Sequence, residues 1–317
     1  MQTQTLRPTP DGFATARDIL AAGGLVAFPT ETVYGLGGDA RNGAAVAGIY
    51  TAKGRPSFNP LIVHVADLEM AQQFAVFDNH AMALADAFWP GPLTIVVPVR
   101  AHAELSELVT AGLDTVAIRV PAHPVARALL ATFGGPIAAP SANPSGGISP
   151  TSAAHVRDGL GGRIDAVMNG GKCDVGLEST IVMPKDGAVY LLRSGGVTAE
   201  DIATIADVKT PTETTDAPTS PGQLASHYAP HAKLRMDVIT PNDDEYMIGF
   251  GDVAGQINLS SSGDLIQAAA NLFAYLHMAD EDAQTLGKTK IAVAPIPMTG
   301  LGVAINDRLK RASAPRG

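Results

Sequence analysis

Cysteine is almost missing: Cys173 is the only one in 317 residues. A single thiol excludes an internal disulfide framework and a zinc site built from several cysteines. No run of about 18 consecutive apolar residues occurs, so no membrane span is expected. The N-terminus, "MQTQTLRPTPDGF", lacks the basic-then-apolar pattern of a signal peptide. Positive charge is in deficit, with 22 Lys and Arg against 31 Asp and Glu, a net charge of −9. No part of the chain forms a basic arm, so little or no direct grip on a nucleic-acid backbone is expected. The last residues do carry Arg308, Lys310, Arg311 and Arg316, and these read as a solvated helix end. The lone thiol and the missing leader fit a soluble cytoplasmic protein.

Familiar nucleotide motifs are missing too. "GKT" at 287–289 would need a glycine at 282 to make a phosphate-binding P-loop, and Asp282 stands there. "GLGGDA" at 35–40 matches a dinucleotide fingerprint loosely, with an acidic Asp39 inside it. There is no G-x-S-x-G elbow and no H-E-x-x-H.

What is present is a large apolar fraction, 46%, with 17% charged residues. That composition can bury a sizeable core, and the length suits about two domains. Helix-like and strand-like patterns alternate, which argues α/β. "DGFATARDILAAGG", "NGAAVAGIYTAKG" (with Asn42 as cap), "HAMALADAFWPG" and "HPVARALLATFGG" (Pro124 in the first turn) read as helices. "LVAFPT", "PLIVHVA", "LTIVVPV", "TVAIRVP", "PIAAP", "STIVM" and "VYLLR" read as strands. Residues 209–222, "KTPTETTDAPTSPG", hold nothing more apolar than Ala and Pro and read as an extended linker. A second, smaller α/β unit follows. The expected division is a catalytic unit over 1–208, a linker or lid over 209–232, and a small C-terminal unit over 233–317.

Polar side chains recur where strands end. "FPTETVYGLGG" brings Thr30, Glu31, Thr32 and Tyr34 after an apolar strand, with Gly35 and Gly37 expected to turn the chain away. Lys53, Arg55, Asn59 and His64 fall within twelve residues, almost without acid to balance them. Taken singly, Lys53 and Arg55 could be a solvated helix end, and His64 a hydrogen-bonded core residue. Arg119 is the one charge in "TVAIRV", and it reads as a ligand contact, a strand-edge residue pointing at water, or a structural ion pair. Ser141 and Asn143 follow a strand, Glu178, Ser179 and Thr180 precede one, and Arg193 ends one. Open α/β sheets bind ligands at strand ends. Arg, Lys, Ser, Thr and Asn are donors for phosphates and carboxylates. With no catalytic triad or carboxylate pair in evidence, the expected chemistry is transfer between bound anions, driven by positioning and charge neutralisation.

"PTETVYGLG", "KGRPSFNPL", "WPGPLT", "PSANPSG", "LESTIV" and "LLRSGG" together resemble the signatures of the threonylcarbamoyl-AMP synthase family, in that family's order. "SHYAPHAKL" and "GLGVAINDRLKRAS" resemble the hinge and C-terminal domain of its two-domain members. The resemblance implies a YrdC-like twisted, open, mixed sheet with a large cavity, plus a smaller Rossmann-like α/β domain. It implies that L-threonine, bicarbonate and ATP give threonylcarbamoyladenylate and pyrophosphate, with Mg²⁺ accompanying ATP. The product would pass to a tRNA threonylcarbamoyl transferase complex, which modifies the adenosine beside the anticodon. Carried over residue by residue, Arg55, Asn59, Thr115, Ser141, Ser149 and Arg193 contact ATP, and Tyr228 caps the nucleotide. Asn143 completes a polar quartet with Lys53, Arg55 and Ser141. Thr32, His64, Arg119 and Ser179, with the backbone around Ala139, hold threonine. Glu31 receives no role, and the resemblance names no metal ligand. One departure is the hinge "GQLASHYAP", which lacks the cation many members carry there. Two other readings remain at this stage: an RNA-binding module of tRNA or ribosome maturation on the same fold, and a carbamoyl-adenylating domain like that of hydrogenase maturation proteins.

Overall fold

The computed structural model describes residues 2–56, 58–211 and 227–315. The first unit runs β1 (Gln4–Leu6), α1 (Pro10–Ala21), β2 (Val26–Pro29), β3 (Tyr34–Asp39), α2 (Gly43–Lys53), β4 (Ile62–His64), α3 (Leu68–Phe74), α4 (Asn79–Phe88) and β5 (Leu93–Pro98). It continues through α5 (Glu107–Thr110), β6 (Thr115–Arg119), α6 (Pro124–Phe133), β7 (Ile137–Ala138), α7 (Ala153–Leu160), β8 (Ala166–Met168), β9 (Thr180–Lys185), β10 (Ala188–Arg193), α8 (Ala199–Ala203) and β11 (Val208–Lys209). Its strands form one mixed sheet in the order β1-β8-β2-β3-β7-β4-β6-β5-β9-β10-β11. The second unit holds β12 (Lys233–Arg235), β13 (Glu245–Gly249), β14 (Ile257–Asn258), α9 (Leu265–Thr285), β15 (Lys290–Val293) and α10 (Leu301–Ser313). Its sheet, β12-β15-β13-β14, is parallel throughout. This is the expected mixed α/β sheet with a smaller parallel unit. No helix among the described residues is long and apolar enough to cross a membrane. Most of the linker expected over 209–222 lies outside the described residues, although Lys209 itself closes β11 against β10.

Local chemistry sets the helix that matters most. Asn42 caps α2 by accepting from the amides of Ala44 (2.9 Å) and Ala45 (3.3 Å). The helix closes at Gly54, which is left-handed. Lys53 and Arg55 therefore flank a fixed C-terminus rather than a loose loop.

One expectation is corrected here. Gly35 and Gly37 do not turn the chain away; they lie in β3, antiparallel to β2, with Gly37 opposite Val26. A Cβ on Gly37 would sit 2.8 Å from both Ile137 and Phe28, so the glycine serves close contact inside the sheet. The turn falls earlier, over Thr30–Val33, where the Thr30 hydroxyl donates to the Val33 carbonyl at 2.7 Å.

The two units share an apolar core. Val33, Ile148 and Leu177 of the first unit join one cluster with Leu272, Phe273 and Leu276 of α9. At Gly176 the backbone is left-handed (φ 69°), and a Cβ there would lie 2.5 Å from the carbonyl oxygens of Ala269 and Ala270. Only glycine lets that loop meet the α9 backbone so closely.

Candidate active site

Register brings the first pair of site residues together. β4 and β6 run parallel, with His64 beside Arg119. β7 joins β4 on its other edge, and Ala139 donates its amide to the Ile62 carbonyl at 2.9 Å. Ser141 bridges to Gly35 of β3. These strand ends, with Ser179 and Arg193 from β9 and β10, surround one pocket.

Of the residues expected to hold threonine, Thr32, His64, Arg119, Ala139 and Ser179 all line it. Of those expected at ATP, Arg55, Ser141, Arg193 and Tyr228 line it. Lys53, Asn143 and Ser149 stand just behind its wall. The buried Lys53 ammonium donates to the carbonyls of Ser141 and Asn143, so it braces the "PSAN" loop from behind. Burial, then the Arg55 charge, pushes its pKa well down. Arg55 is pulled down to about 10 by burial, and it donates to the carbonyls of Asn59 (3.3 Å) and Pro60 (3.0 Å). Neither cation is part of a solvated helix end. The Asn59 side chain is fully buried, and both its polar atoms lack hydrogen-bond partners. Thr115 starts β6, at the far end from Arg119, and does not line the pocket.

His64 is 3% exposed, and its Nδ1 has no hydrogen-bond partner. Burial, then the Arg119 charge, pushes it down to about 3, so it is neutral at physiological pH. It can offer or accept one hydrogen bond to a ligand without adding charge.

Arg119 has a partner that sequence reasoning left without a role. Its Nη2 donates to Glu31 Oε1 at 2.5 Å, Nη1 to Thr32 Oγ1 at 2.8 Å, and Nε to the Gly91 carbonyl at 3.2 Å. Glu31 Oε2 accepts from the amides of Ala122 (3.0 Å) and His123 (3.2 Å). Burial alone would raise the Glu31 carboxyl; Arg119 outweighs it and holds the pKa down.

The opposite wall repeats the pattern. Glu178 Oε1 accepts from the Ser149 hydroxyl at 2.6 Å, and Oε2 from Arg308 Nε at 2.9 Å. Arg193 grips Ser179, with Nη2 to the carbonyl at 2.8 Å and to Oγ at 3.1 Å. Arg308 corrects the sequence reading of a solvated tail, because this residue is fully buried. No local signal could have found its partner, which lies 130 residues away.

Two residues from beyond the undescribed segment enter the same pocket. His227 and Tyr228 line it, and Tyr228 sits at φ 62°. A bulky side chain in that region is strained by an order of 1–3 kcal/mol. The Tyr228 ring lies 5.4 Å from that of Phe273 on α9. With both residues in place, about 50 Å³ of space remains. No group of three or more His, Cys, Asp or Glu among the described residues could hold a metal ion by protein ligands alone, whereas Mg²⁺ that accompanies ATP rests chiefly on phosphate and water oxygens. The wall carboxylates, Glu31 and Glu178, are already committed to arginines.

A pocket walled by arginines at strand ends, and closed by an aromatic from the segment that leads into the second α/β unit, defines a site for small anionic substrates. Residues 18–195 match the family model described as telomere recombination (Sua5, YciO and YrdC). Residues 197–314 match the model of the threonylcarbamoyl-AMP synthase C-terminal domain. The chain is 41% identical to threonylcarbamoyl-AMP synthase of Bacillus subtilis, over 99% of this chain and 96% of that one. It is 37% identical to the Pyrococcus abyssi enzyme of that name, over 95% and 94%. The crystal structure of P. abyssi Sua5 complexed with L-threonine superposes with a TM-score of 0.87 at 34% identity, over 99% of this chain and 98% of that one. The chain belongs to the threonylcarbamoyl-AMP synthase family, among its two-domain members.

Proposed function

We infer that this chain joins L-threonine, bicarbonate and ATP into L-threonylcarbamoyladenylate and releases pyrophosphate. One observation carries the reading. Thr32, His64 and Arg119 share a single pocket with Arg55 and Arg193, so an amino-acid carboxylate and a triphosphate can sit side by side.

The threonine amine attacks the bicarbonate carbon, a C–O bond breaks, and a carbamate forms with release of one water. A carbamate oxygen then attacks the α-phosphorus of ATP, and pyrophosphate leaves. Several negative charges meet, so the protein's task is to neutralise and align them. Arg119 takes the threonine carboxylate on the N–H groups that Glu31, Thr32 and Gly91 leave over. Neutral His64 and Ser179, with the backbone at Ala139, orient the amino acid. Arg55, Ser141 and Arg193 face the phosphates, and Lys53 and Asn143 keep the loop in place. Asn59 and Ser149 act from behind the wall on the nucleotide side. ATP needs more than the space now left, since ligand pockets run to roughly 300–1,000 Å³. His227 and Tyr228 therefore move aside for ATP and close again over it, keeping water from the mixed anhydride. In the cytoplasm the product feeds a tRNA threonylcarbamoyl transferase complex.

The test is the amino-acid dependence of pyrophosphate release by the full chain. Release is expected only with threonine and bicarbonate both present. Release without any amino acid would favour a carbamoyl-adenylating enzyme. No release, with salt-sensitive binding to tRNA instead, would favour the RNA-binding module.

A further inference from the structure

Arg308 is supplied by α10 of the second unit, yet its Nε is spent in the first. Its Nε holds Glu178, which in turn accepts from Ser149. Its Nη1 donates to Asp307 at 2.8 Å, and Asp307 also takes Arg311. Its Cζ lies 5.5 Å from the centre of the Tyr228 ring. Its Nη2 is buried without a hydrogen-bond partner. Next to it, the His227 amide donates to the Arg311 carbonyl at 3.2 Å.

Stability does not explain such a residue. Buried ion pairs contribute little that apolar side chains would not, and a buried N–H without a partner is a net cost. The two units already share an apolar core. The consequence of the pair is chemical. Burial pushes the Glu178 carboxyl up, but Arg308 and then Arg193 hold it down at about 2. An ionised carboxylate only accepts, so the Ser149 hydroxyl must donate to it. Glu178 itself lines the pocket, with Ser149 fully buried behind it, so what this wall offers a ligand is lone pairs. Those suit a ribose hydroxyl or an adenine amino group and repel a phosphate oxygen.

We propose that Arg308 is a positioning residue for the nucleoside half of ATP: it fixes Glu178 and through it Ser149, and it seats the Tyr228 ring. This rests on the pocket being the ATP and threonine site. The threonine carboxylate meets a separate pair, Glu31 with Arg119, whose hydrogen bonds do not involve Arg308.

The experiment uses the purified full chain and four variants: Arg308→Ala, Arg308→Lys, Glu178→Gln, and Arg308→Ala with Glu178→Gln. Calorimetry measures ATP and threonine separately, and kcat/KM for ATP is followed against pH. Arg308→Ala is expected to weaken ATP by about tenfold or more while threonine stays within about twofold. Without the guanidinium only Arg193 and the Ser149 hydroxyl oppose burial, so the Glu178 carboxyl rises and activity should acquire an acid limb at higher pH than in wild type. Glu178→Gln in the same background should abolish that limb. Arg308→Lys keeps a charge but not the fork, so it should restore the pH profile and leave ATP weak. Unchanged ATP affinity in Arg308→Ala overturns the proposal. So does an equal loss for ATP and threonine together with a lower melting temperature, which would make Arg308 a fastener between the units. If Arg308→Ala does not fold, ATP affinity in Arg308→Lys decides by the same criterion. Wild-type chain that releases no pyrophosphate with threonine would sink the functional reading instead, while ATP calorimetry would still test Arg308.

Discussion

Glu31 shows how a residue without a role in sequence acquires one in space. Its partner Arg119 is 88 residues away, and neither motif mentions the other. Arg119 and His64 stood out as lone polar groups in apolar strands, and both line the pocket. The pairing itself was illegible, because an ion pair across a sheet leaves no periodic trace. Removing Glu31 strands a buried guanidinium. Glu31→Ala should therefore cost about 3–5 kcal/mol of stability, read as a lower urea midpoint. A loss below about 1 kcal/mol would mean that water already screens the pair. Arg55 faces the same pocket from the end of α2. Loss of a preorganised donor slows such reactions on the order of 10²–10³-fold, so Arg55→Ala should lose that much pyrophosphate release while remaining folded. Turnover close to wild type would remove Arg55 from the site.

At the scale of elements, the legible ones carried strong local signals. α2 announced itself through Asn42 and α6 through Pro124. β3 was missed because its glycines are poor strand formers, and only contact with Phe28 and Ile137 explains them. Short elements such as α5, α7 and β8 gave too few residues to show a period. Gly176 is the element-scale counterpart of Glu31, since it decides how α9 meets the first unit. Gly176→Ala forces a Cβ into two backbone carbonyls at an unfavourable φ. It should loosen the second unit, seen as faster proteolysis within residues 233–317. An unchanged digestion pattern would place the contact elsewhere. Tyr228→Ala opens the pocket rather than emptying it of donors. It should lower synthesis more than it lowers ATP affinity; an equal loss in both would make Tyr228 a binding residue and not a lid.

Across the whole molecule, the buried histidines His64 and His227 and the half-buried His277 set the response to acid. Burial pushes His64 and His227 down to about 3 and His277 to about 4. In the unfolded chain each returns to about 6.5 and takes up a proton that the folded form refuses. Stability is thus fullest above about pH 6.5 and declines as pH falls towards 4, by about 1.4 kcal/mol per pH unit for each histidine. Urea midpoints between those limits should fall steeply. A flat profile would mean that the imidazoles reach water. Below that window Glu178 adds its own loss, since its folded pKa of about 2 lies beneath the unfolded value.

The functional claim is that one pocket, walled by the first unit and closed by His227 and Tyr228, carries out the whole synthesis. Isotope-labelled bicarbonate, threonine and ATP given to the full chain test it most directly, with the adenylate product weighed by mass spectrometry. The expected result is a threonyl adenylate that carries the bicarbonate carbon, formed only when all three substrates are present, with one pyrophosphate released per adenylate. A chain that binds ATP and threonine yet yields no labelled adenylate, or yields a labelled adenylate lacking threonine, would contradict the account.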